Sequence, residues 1–301
     1  MNRWLALLVM LLGWLASGFA LLAPQSDPKS TRIDQANYPA RIVSMAPNLT
    51  EILFALGLDD KIVAVTRYSD YPPRAADKPK LGTFWQPNIE AIIAAKPDLV
   101  VTLGFQQQAD VARRLNRIGY NCLMVNIETV EELFEAIHKI GTATGKQPEA
   151  TNLAGDLRAK LKCLSSLVAT GPRPTVLWVI DREPLRVAGR DTFVNELIEL
   201  AGGVNAIGPT VHKYPPIGGE QVIASAPEVI IEPASSNGNI PDQYRSALDY
   251  WRRFSTVPAV ANNRIYVIPP DTVSRLGPRV HQGLRSIAEC IKPELFRGVS
   301  R

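Results

Sequence analysis

The chain of 301 residues has few of the side chains that form metal centres and redox sites. It has three histidines, scattered without a neighbouring Cys or His, and three cysteines: Cys122, Cys163 and Cys290. Zinc sites in proteins need closely spaced ligands of these types. We therefore expect no protein-ligated metal.

Motifs that mark common catalytic sites are also missing. There is no Gly-rich phosphate loop, no G-x-S-x-G turn and no H-E-x-x-H helix in the sequence. The usual elements that bind phosphate, present a nucleophile or hold a catalytic metal are thus not available. We find no candidate catalytic residue and expect no cofactor, which favours a binding protein over an enzyme.

A large excess of charge of one sign is absent as well. The formal net charge is +4 at pH 7, and Lys and Arg form no long run. Nucleic-acid-binding proteins usually carry a basic patch or stripe, so nucleic acid is not expected as a partner. With 46% hydrophobic and 21% charged residues, the composition is typical of a globular protein.

The sequence has one long hydrophobic run, at its N-terminus. Arg3 precedes an apolar stretch that includes residues 4–23, and residues 18–20 offer the small side chains that signal peptidase reads. Residues 1–23 are therefore predicted to be a signal peptide or, because about 20 apolar residues can span a bilayer, an uncleaved membrane anchor. Either alternative places the protein in the periplasm or at the extracytoplasmic face of the inner membrane, with residues 24–40 as a linker.

Export makes one disulfide possible among the three cysteines. Cys163 and Cys290 both lie on predicted helices, and a bridge between them is one hypothesis. Buried free thiols are the default alternative. Cys122 opens an apolar strand and is predicted to lie in the core.

Short β-rich runs alternate with segments of helical periodicity after the linker. The predicted strands are residues 41–45, 62–65, 99–103, 122–125, 175–180, 229–231 and 264–268. The predicted helices are residues 48–56, 109–118, 130–143, 148–167, 194–200 and 280–291, and two further helices are predicted just before the strands at 99–103 and 229–231. This alternation predicts an α/β protein with parallel sheets. Asn48 is expected to cap the first helix, with Glu51 completing a capping box.

Two sequence segments each have a similar counterpart later in the chain. NIEAIIAAKPDLVV at residues 88–101 matches GGEQVIASAPEVII at residues 218–231. EILFALG at residues 51–57 matches ELIELAG at residues 196–202. The matched segments keep their order and flank one long helical pattern, which predicts an internal duplication.

The duplication defines the predicted domain organisation. Residues 41–146 form an N-terminal lobe, residues 147–170 a connecting helix, and residues 171–296 a C-terminal lobe. Each lobe is long enough to bury a core of its own.

Aromatic residues are concentrated in the predicted loops. They are Tyr68, Tyr71, Phe84, Trp85, Phe105, Trp178 and Tyr214. Several follow predicted strands, where open α/β sheets place their ligand sites. Flat aromatic surfaces suit a large, rigid and partly apolar ligand, although packing beneath the loops is an alternative for any single Tyr.

Glu90 and Glu220 occupy matched positions in the repeat, each in the first turn of a predicted helix. The helix dipole favours a carboxylate there, which is a sufficient reason for one such residue. Carboxylates at equivalent tips of two lobes would also make a two-point contact with a basic partner.

Six segments of the sequence together resemble the periplasmic substrate-binding proteins of ABC importers for cobalamin, haem and ferric siderophores, and most of all the cobalamin-binding members. The segments are RIVSMAPNLTEILFALG, TRYSDYPP, FWQPNIEAIIAAKPDLVV, ELAGGVNAI, YPPIGGEQVIASAPEVII and SRLGPRVHQGL. The resemblance covers residues 41 to 295, nearly the whole exported part.

This resemblance implies two Rossmann-like lobes joined by one rigid helix, with a corrinoid as the transported ligand in the cleft between them. The ligand-binding residues that it implies are Tyr68, Trp85, Tyr214, Asp271, Thr272, Val273, Ser274 and Arg275. Glu90 and Glu220 match the glutamates that dock onto an ABC permease dimer, which works with its ATPase. The binding protein itself is expected to be a monomer.

Departures from the family pattern leave other ligands open. Tyr214 stands where the cobalamin-binding protein has a Trp, and Phe105 is expected to compensate for a missing aromatic after the third strand. A ferric siderophore would be bound by a cluster of basic side chains, for which the candidates are Arg67, Arg182, Arg186 and Arg275. Haem would need an axial ligand to its iron, for which the candidates are Tyr68, Tyr71 and His212. An alternative of another class is a membrane-anchored enzyme on a degenerate binding fold, which would need a buried catalytic constellation in the cleft.

Overall fold

The computed structural model describes residues 38–235 and 238–297. The predicted signal or anchor at residues 1–23, and most of the linker, lie outside these ranges. Within them, no helix combines the length and the apolar character that crossing a membrane requires.

The N-terminal lobe is built on a parallel sheet with the strand order β2-β1-β3-β4. Its strands are β1 (Ile42–Ser44), β2 (Ile62–Val65), β3 (Leu99–Leu103) and β4 (Cys122–Val125). Its helices are α1 (Pro47–Ala55), α2 (Pro73–Ala76), α3 (Ile89–Ala94), α4 (Gln106–Arg117) and α5 (Val130–Thr144). All residues of β3 are buried because it is a central strand of a parallel sheet whose faces are both covered.

The C-terminal lobe repeats this plan with the parallel order β7-β5-β8-β9. Its strands are β5 (Thr175–Arg182), β6 (Leu185–Val187), β7 (Val204–Asn205), β8 (Val229–Pro233) and β9 (Ile265–Ile268). Its helices are α7 (Phe193–Leu200), α8 (Gly219–Ser225), α9 (Ile240–Trp251), α10 (Pro258–Ala261) and α11 (Val280–Ile291), numbered after the connecting helix α6 (Gln147–Leu167). The prediction of an α/β fold with two parallel-sheet lobes is confirmed. β6 is an addition, which pairs antiparallel with the end of β5.

Helix α6 connects the lobes and packs against the last long helix of each, α5 and α11. Its buried face consists of Ala150, Ala154, Leu157 and Leu161. The small residues let the helices approach closely, and a Cβ on Gly141 of α5 would stand 2.4 Å from that of Ala150. The connection is therefore a packed element of the core.

A single hydrophobic cluster extends through both lobes. The alternation of side chains along β3 sends Leu99 and Val101 into this cluster and Val100 into a separate core on the other face. In the same way, β5 sends Trp178 into the shared cluster and Leu177 into a second core of the C-terminal lobe. Each sheet thus turns one face to a core that the lobes share through α6.

The sequence repeat has a structural cause. Lys96 and Ala226 end helices α3 and α8 in the left-handed region, with φ of 45° and 40°. Two residues later, Asp98 Oδ2 accepts from the amides of Ala40 and Arg41, each at 2.9 Å, before β1. Glu228 Oε2 accepts from the Thr175 amide at 2.8 Å at the start of β5. An acidic residue at the equivalent position therefore binds backbone amides at the start of the first strand in each lobe.

Three predictions from the sequence are wrong. Helix α1 begins at Pro47 without a side-chain cap, because the Asn48 amide donates to Leu276 O and the Glu51 carboxylate accepts from Arg279. Trp178 is a buried core residue of β5 and lies in no loop. All three thiols are free: Cys163 is exposed, whereas Cys290 is buried on another helix, so no bridge joins them.

Candidate functional site

A cleft of about 660 Å³ lies between the two lobes. Its lining comes from loops that follow the parallel strands of both sheets, which is where open α/β sheets place their ligands. The N-terminal lobe contributes Pro47, Asn48, Tyr68, Phe84, Trp85, Leu103, Phe105, Ile127 and Glu128. The C-terminal lobe contributes Asp191, Thr192, Phe193, Lys213, Tyr214, Ser235, Ser274, Arg275 and Leu276.

Aromatic rings form the wall of the cleft on the N-terminal lobe. Trp85 is 63% exposed and Tyr68 is 53% exposed, fractions that are unusual for rings of this size. Phe84 stands behind them and makes edge-to-face contacts with Trp85 at 4.8 Å and with Phe105 at 5.7 Å between centroids. A contiguous exposed apolar surface of this kind marks a binding site.

Gln108 of α4 fastens this aromatic wall to the sheet. Its buried amide nitrogen donates to the carbonyls of Met45, at 2.8 Å, and Phe84, at 3.2 Å. Its amide oxygen accepts from the Leu103 amide at 3.0 Å. The loop that carries Phe84 is therefore held at a fixed distance from the ends of β1 and β3.

Acidic and basic side chains balance along the cleft lining. Lys213 Nζ pairs with Glu128 Oε2 at 2.5 Å, from one lobe to the other. Arg275 pairs with Asp70 at 3.1 Å, also across the lobes. Asp70 lies outside the lining, which itself carries two acidic residues, Glu128 and Asp191, and two basic residues, Lys213 and Arg275. The lining therefore offers both hydrogen-bond donors and acceptors, and it holds no excess of basic side chains.

Tyr214 provides a phenol on the wall of the C-terminal lobe. Burial, and to a smaller extent the negative charge of Glu128, raise the pKa of the Tyr214 phenol above its ordinary value. At neutral pH this residue is therefore a protonated hydrogen-bond donor.

The structure brings together most of the residues that the sequence singled out for ligand binding. Tyr68, Trp85, Tyr214, Ser274 and Arg275 all line the cleft, and so does Phe105. The other three lie outside the lining. Val273 is buried in the core, Asp271 pairs with Arg275 at 3.5 Å, and Thr272 packs under α11.

The basic cluster proposed for a siderophore does not form. Of its four members, only Arg275 lines the cleft, and acidic partners already occupy its guanidinium. Arg182 pairs with the buried Glu232 at 3.1 Å in a separate polar pocket of the C-terminal lobe. Among the candidates for a haem ligand, His212 lies outside the lining, and Tyr71 stacks under the guanidinium of Arg279.

Glu90 and Glu220 are exposed and lie in the first turns of α3 and α8, as the sequence predicts. The two helices occupy equivalent places in the two sheets, before β3 and β8. Asn88 caps α3 by accepting from the Ala91 amide, whereas α8 begins at Gly218 without a side-chain cap. The carboxylates thus share a position, and their role as docking points stays a prediction.

The sequence did not identify the polar lining of the cleft. Glu128 and Lys213 lie in loops that no motif marks, and their pairing joins segments 85 residues apart. A usable signal was the position of Glu128 just after β4, at the binding edge of the sheet. Across the residues that the structure describes, no group of three or more His, Cys, Asp or Glu side chains is arranged to hold a metal ion.

The sequence matches the family described as periplasmic binding protein over residues 42–272. An uncharacterised ABC transporter substrate-binding lipoprotein of Bacillus subtilis is 30% identical over 266 residues, covering 86% of this chain and 82% of that protein. The vitamin B12-binding protein of Vibrio cholerae is 28% identical over 259 residues, covering 85% of this chain and 90% of that protein.

Solved structures show the same similarity. The periplasmic vitamin B12-binding protein of Vibrio cholerae superposes with a TM-score of 0.74 at 26% identity, covering 85% of this chain and 97% of that one. A periplasmic haem-binding protein of Pseudomonas aeruginosa superposes with a TM-score of 0.75 at 27% identity, covering 85% of this chain and 93% of that one. The fold is therefore shared by proteins that bind different macrocycles.

Proposed function

The chain belongs to the periplasmic binding protein family, and we propose that it captures a corrinoid outside the cytoplasm and delivers it to an ABC importer. The cleft supplies binding surface and hydrogen bonds, and we assign it no covalent chemistry. The transported corrinoid is a ligand and not a cofactor.

The observation that carries this proposal is an aromatic cleft whose lining has equal numbers of acidic and basic side chains. A corrinoid is a large, rigid macrocycle with neutral amide groups around its rim, so it needs flat apolar walls and polar contacts of both kinds. The Glu128–Lys213 pair and the Tyr214 hydroxyl can donate to and accept from such amides. An anionic iron chelate would gain little from this balanced lining.

Ferric haem is the second candidate ligand. One observation favours it: Tyr68 places an exposed phenol in the cleft, where it could ligate iron. Two observations oppose it. His212 lies outside the lining, and the raised pKa of Tyr214 makes this phenol a poor source of phenolate.

The proposed partner is a permease dimer with its ATPase. Glu90 and Glu220 would each meet one permease subunit, since they repeat at equivalent places on the two lobes. We propose a monomeric protein in the periplasm or at the outer face of the inner membrane, with no nucleic acid among its partners.

Calorimetric titration of the purified protein with cyanocobalamin tests the ligand, with haemin and a mixture of ferric siderophores titrated in parallel. The proposal predicts saturable one-to-one binding of cyanocobalamin tighter than micromolar. Binding of haemin alone would replace the corrinoid with haem and keep the importer role. Binding of none of the three would refute the proposed ligand class.

A further inference from the structure

A buried ion pair joins the two lobes beside the cleft. Arg279, which precedes α11 in the C-terminal lobe, donates to both oxygens of Glu51 on α1 in the N-terminal lobe, at 2.9 and 2.6 Å. The side chain of Arg279 is only 14% exposed and that of Glu51 only 4%. Hydrogen bonding to Glu51 raises the pKa of the Arg279 guanidinium, so this side chain stays positively charged at any physiological pH. Breaking such a pair leaves an uncompensated buried charge.

A second carboxylate makes the reciprocal contact. Glu196 lies on α7 in the C-terminal lobe, and its Oε2 accepts at 2.8 Å from the amide of Val130, the first residue of α5 in the N-terminal lobe. The first four amides of a helix lack partners within the helix, so this carboxylate satisfies one of them.

The two contacts are related by the internal duplication. Glu51 and Glu196 are matched residues of the repeated segments EILFALG and ELIELAG. Helices α5 and α11 are also equivalent, since each follows the last strand of its sheet. Each lobe thus uses the same glutamate of its first helix to hold the start of the last helix of the other lobe.

The buried pair is directly connected to the cleft. Asn48, one turn before Glu51, donates to the carbonyl of Leu276 at 3.0 Å, and both residues line the cleft. The loop that carries Leu276 also carries Arg275, which pairs with Asp70 across the lobes. The position of this wall therefore depends on where Arg279 is held.

We propose that Glu51 and Glu196 are positioning residues that together fix the separation of the two cleft walls before a ligand arrives. The pairs Glu128–Lys213 and Asp70–Arg275 also cross between the lobes, but they are more exposed and contribute less. The glutamates therefore set the width of the cleft, and the exposed pairs remain free to exchange their partners for a ligand.

The test measures the distance between the lobes in the unliganded full-length chain by pulsed electron paramagnetic resonance. Spin labels are placed at Arg114→Cys on α4 and Tyr244→Cys on α9, both exposed. Cys122 and Cys163 are changed to Ser. Cys290 stays, because burial raises the pKa of its thiol to about 12 and prevents labelling.

We expect one narrow distance distribution for the parent chain and a broader or displaced one for Glu51→Gln. Glu196→Ala is expected to broaden it less, and Glu196→Gln, which keeps an acceptor for the Val130 amide, is expected to match the parent. The matched control is Glu232→Gln, which removes a buried carboxylate paired with Arg182 within one lobe. Its distribution is expected to stay unchanged, whatever its effect on stability.

Unchanged distributions in folded Glu51→Gln and Glu196→Ala would overturn the proposal. If Glu51→Gln does not fold, the distance distributions of Glu196→Ala and Glu196→Gln decide the question, and identical distributions for these two variants would overturn the proposal. Affinity for cyanocobalamin is the second readout, and the affinity measurement rests on the proposed function. If only a tenth of the loosened protein has the competent spacing, affinity falls roughly tenfold. A change in distance without any binding by the parent would reject the ligand and keep the positioning role.

Discussion

The two lobes have the same strand order but differ at opposite ends of their sheets. At the amino ends of the strands, the lobes use the same devices: a left-handed residue after α3 and α8, then Asp98 or Glu228 bound to the first strand. At the carboxyl ends, which form the cleft, the lobes differ. The duplication therefore persists where the backbone needs the same contacts, and it is lost where the two walls face one ligand.

The difference gives each wall its own chemistry. The N-terminal lobe supplies a cluster of aromatic rings around Phe84, which Gln108 holds in place. The C-terminal lobe supplies Tyr214, Lys213 and Arg275, with charged partners in the other lobe. A ligand between them meets an apolar wall on one side and a polar wall on the other.

The largest effect is expected from Glu90 and Glu220, which occupy equivalent positions in the first turns of α3 and α8. The double variant Glu90→Lys/Glu220→Lys should abolish ligand uptake in cells that carry the importer, because the two proposed attractive contacts with the permease would become repulsive. Ligand affinity in vitro should remain unchanged, because neither residue lines the cleft. The two single reversals show whether the lobes contribute equally.

The matched control is Asp60→Lys/Asp249→Lys, which reverses one exposed carboxylate on each lobe away from these helices. This control should transport normally. Normal transport by the Glu90/Glu220 double variant would refute the docking role.

The shared core predicts that the two lobes unfold together. Leu157 is a buried residue of α6, and Leu157→Ala should lower the free energy of unfolding by about 2–5 kcal/mol. Ala has a high helix propensity, so the loss is one of packing. Denaturant titration followed by circular dichroism and by tryptophan fluorescence should give coincident transitions. Leu167→Ala, at an exposed position of the same helix, is the control and should change little. Two separate transitions would show that the lobes have independent cores.

The two walls are compared by removing one ring from each. Trp85→Ala should weaken cyanocobalamin binding by about 2 kcal/mol, roughly 30-fold, because it removes a large exposed aromatic anchor. Tyr214→Ala should have a smaller effect, since its ring is smaller.

The thermal midpoint of the unliganded protein should stay nearly the same for Trp85→Ala. Tyr244→Ala removes a ring that lies outside the cleft and is about as exposed as that of Tyr214, and it should not affect binding. A large loss of stability with full affinity would identify Trp85 as a packing residue.

Much of the fold could be predicted from the sequence because its signals are local. Helix α11 has the predicted bounds of residues 280–291, and β4 has the predicted bounds of residues 122–125. The helix has clear amphipathic periodicity, and the strand is a short apolar run. The strands β6 and β7 and the helices α2, α9 and α10 were missed. Strand β6 has only three residues, and it exists because β5 provides an antiparallel edge for it, which is a tertiary contact.

The candidate site could be predicted only in part, for the same reason. Trp85 and Tyr68 stand in loops whose composition is visible in the sequence, and the structure places both in the cleft. The role of Glu51 was misread, since its spacing from Asn48 imitates a capping box. Arg279, its actual partner, lies 228 residues away, and no local pattern connects them.

The smallest expected effect concerns the residues with left-handed backbone that end α3 and α8. A side chain in this region costs about 1–2 kcal/mol, and glycine removes that cost while it adds entropy to the unfolded chain. Lys96→Gly and Ala226→Gly should therefore each raise the free energy of unfolding, by up to about 1 kcal/mol. Chemical denaturation of both variants measures the effect, with Ala91→Gly inside α3 as a control that should destabilise. Equal gains would show that the two lobes hold the same strain at the same place, whereas a loss at either position would mean that the side chain contributes packing there.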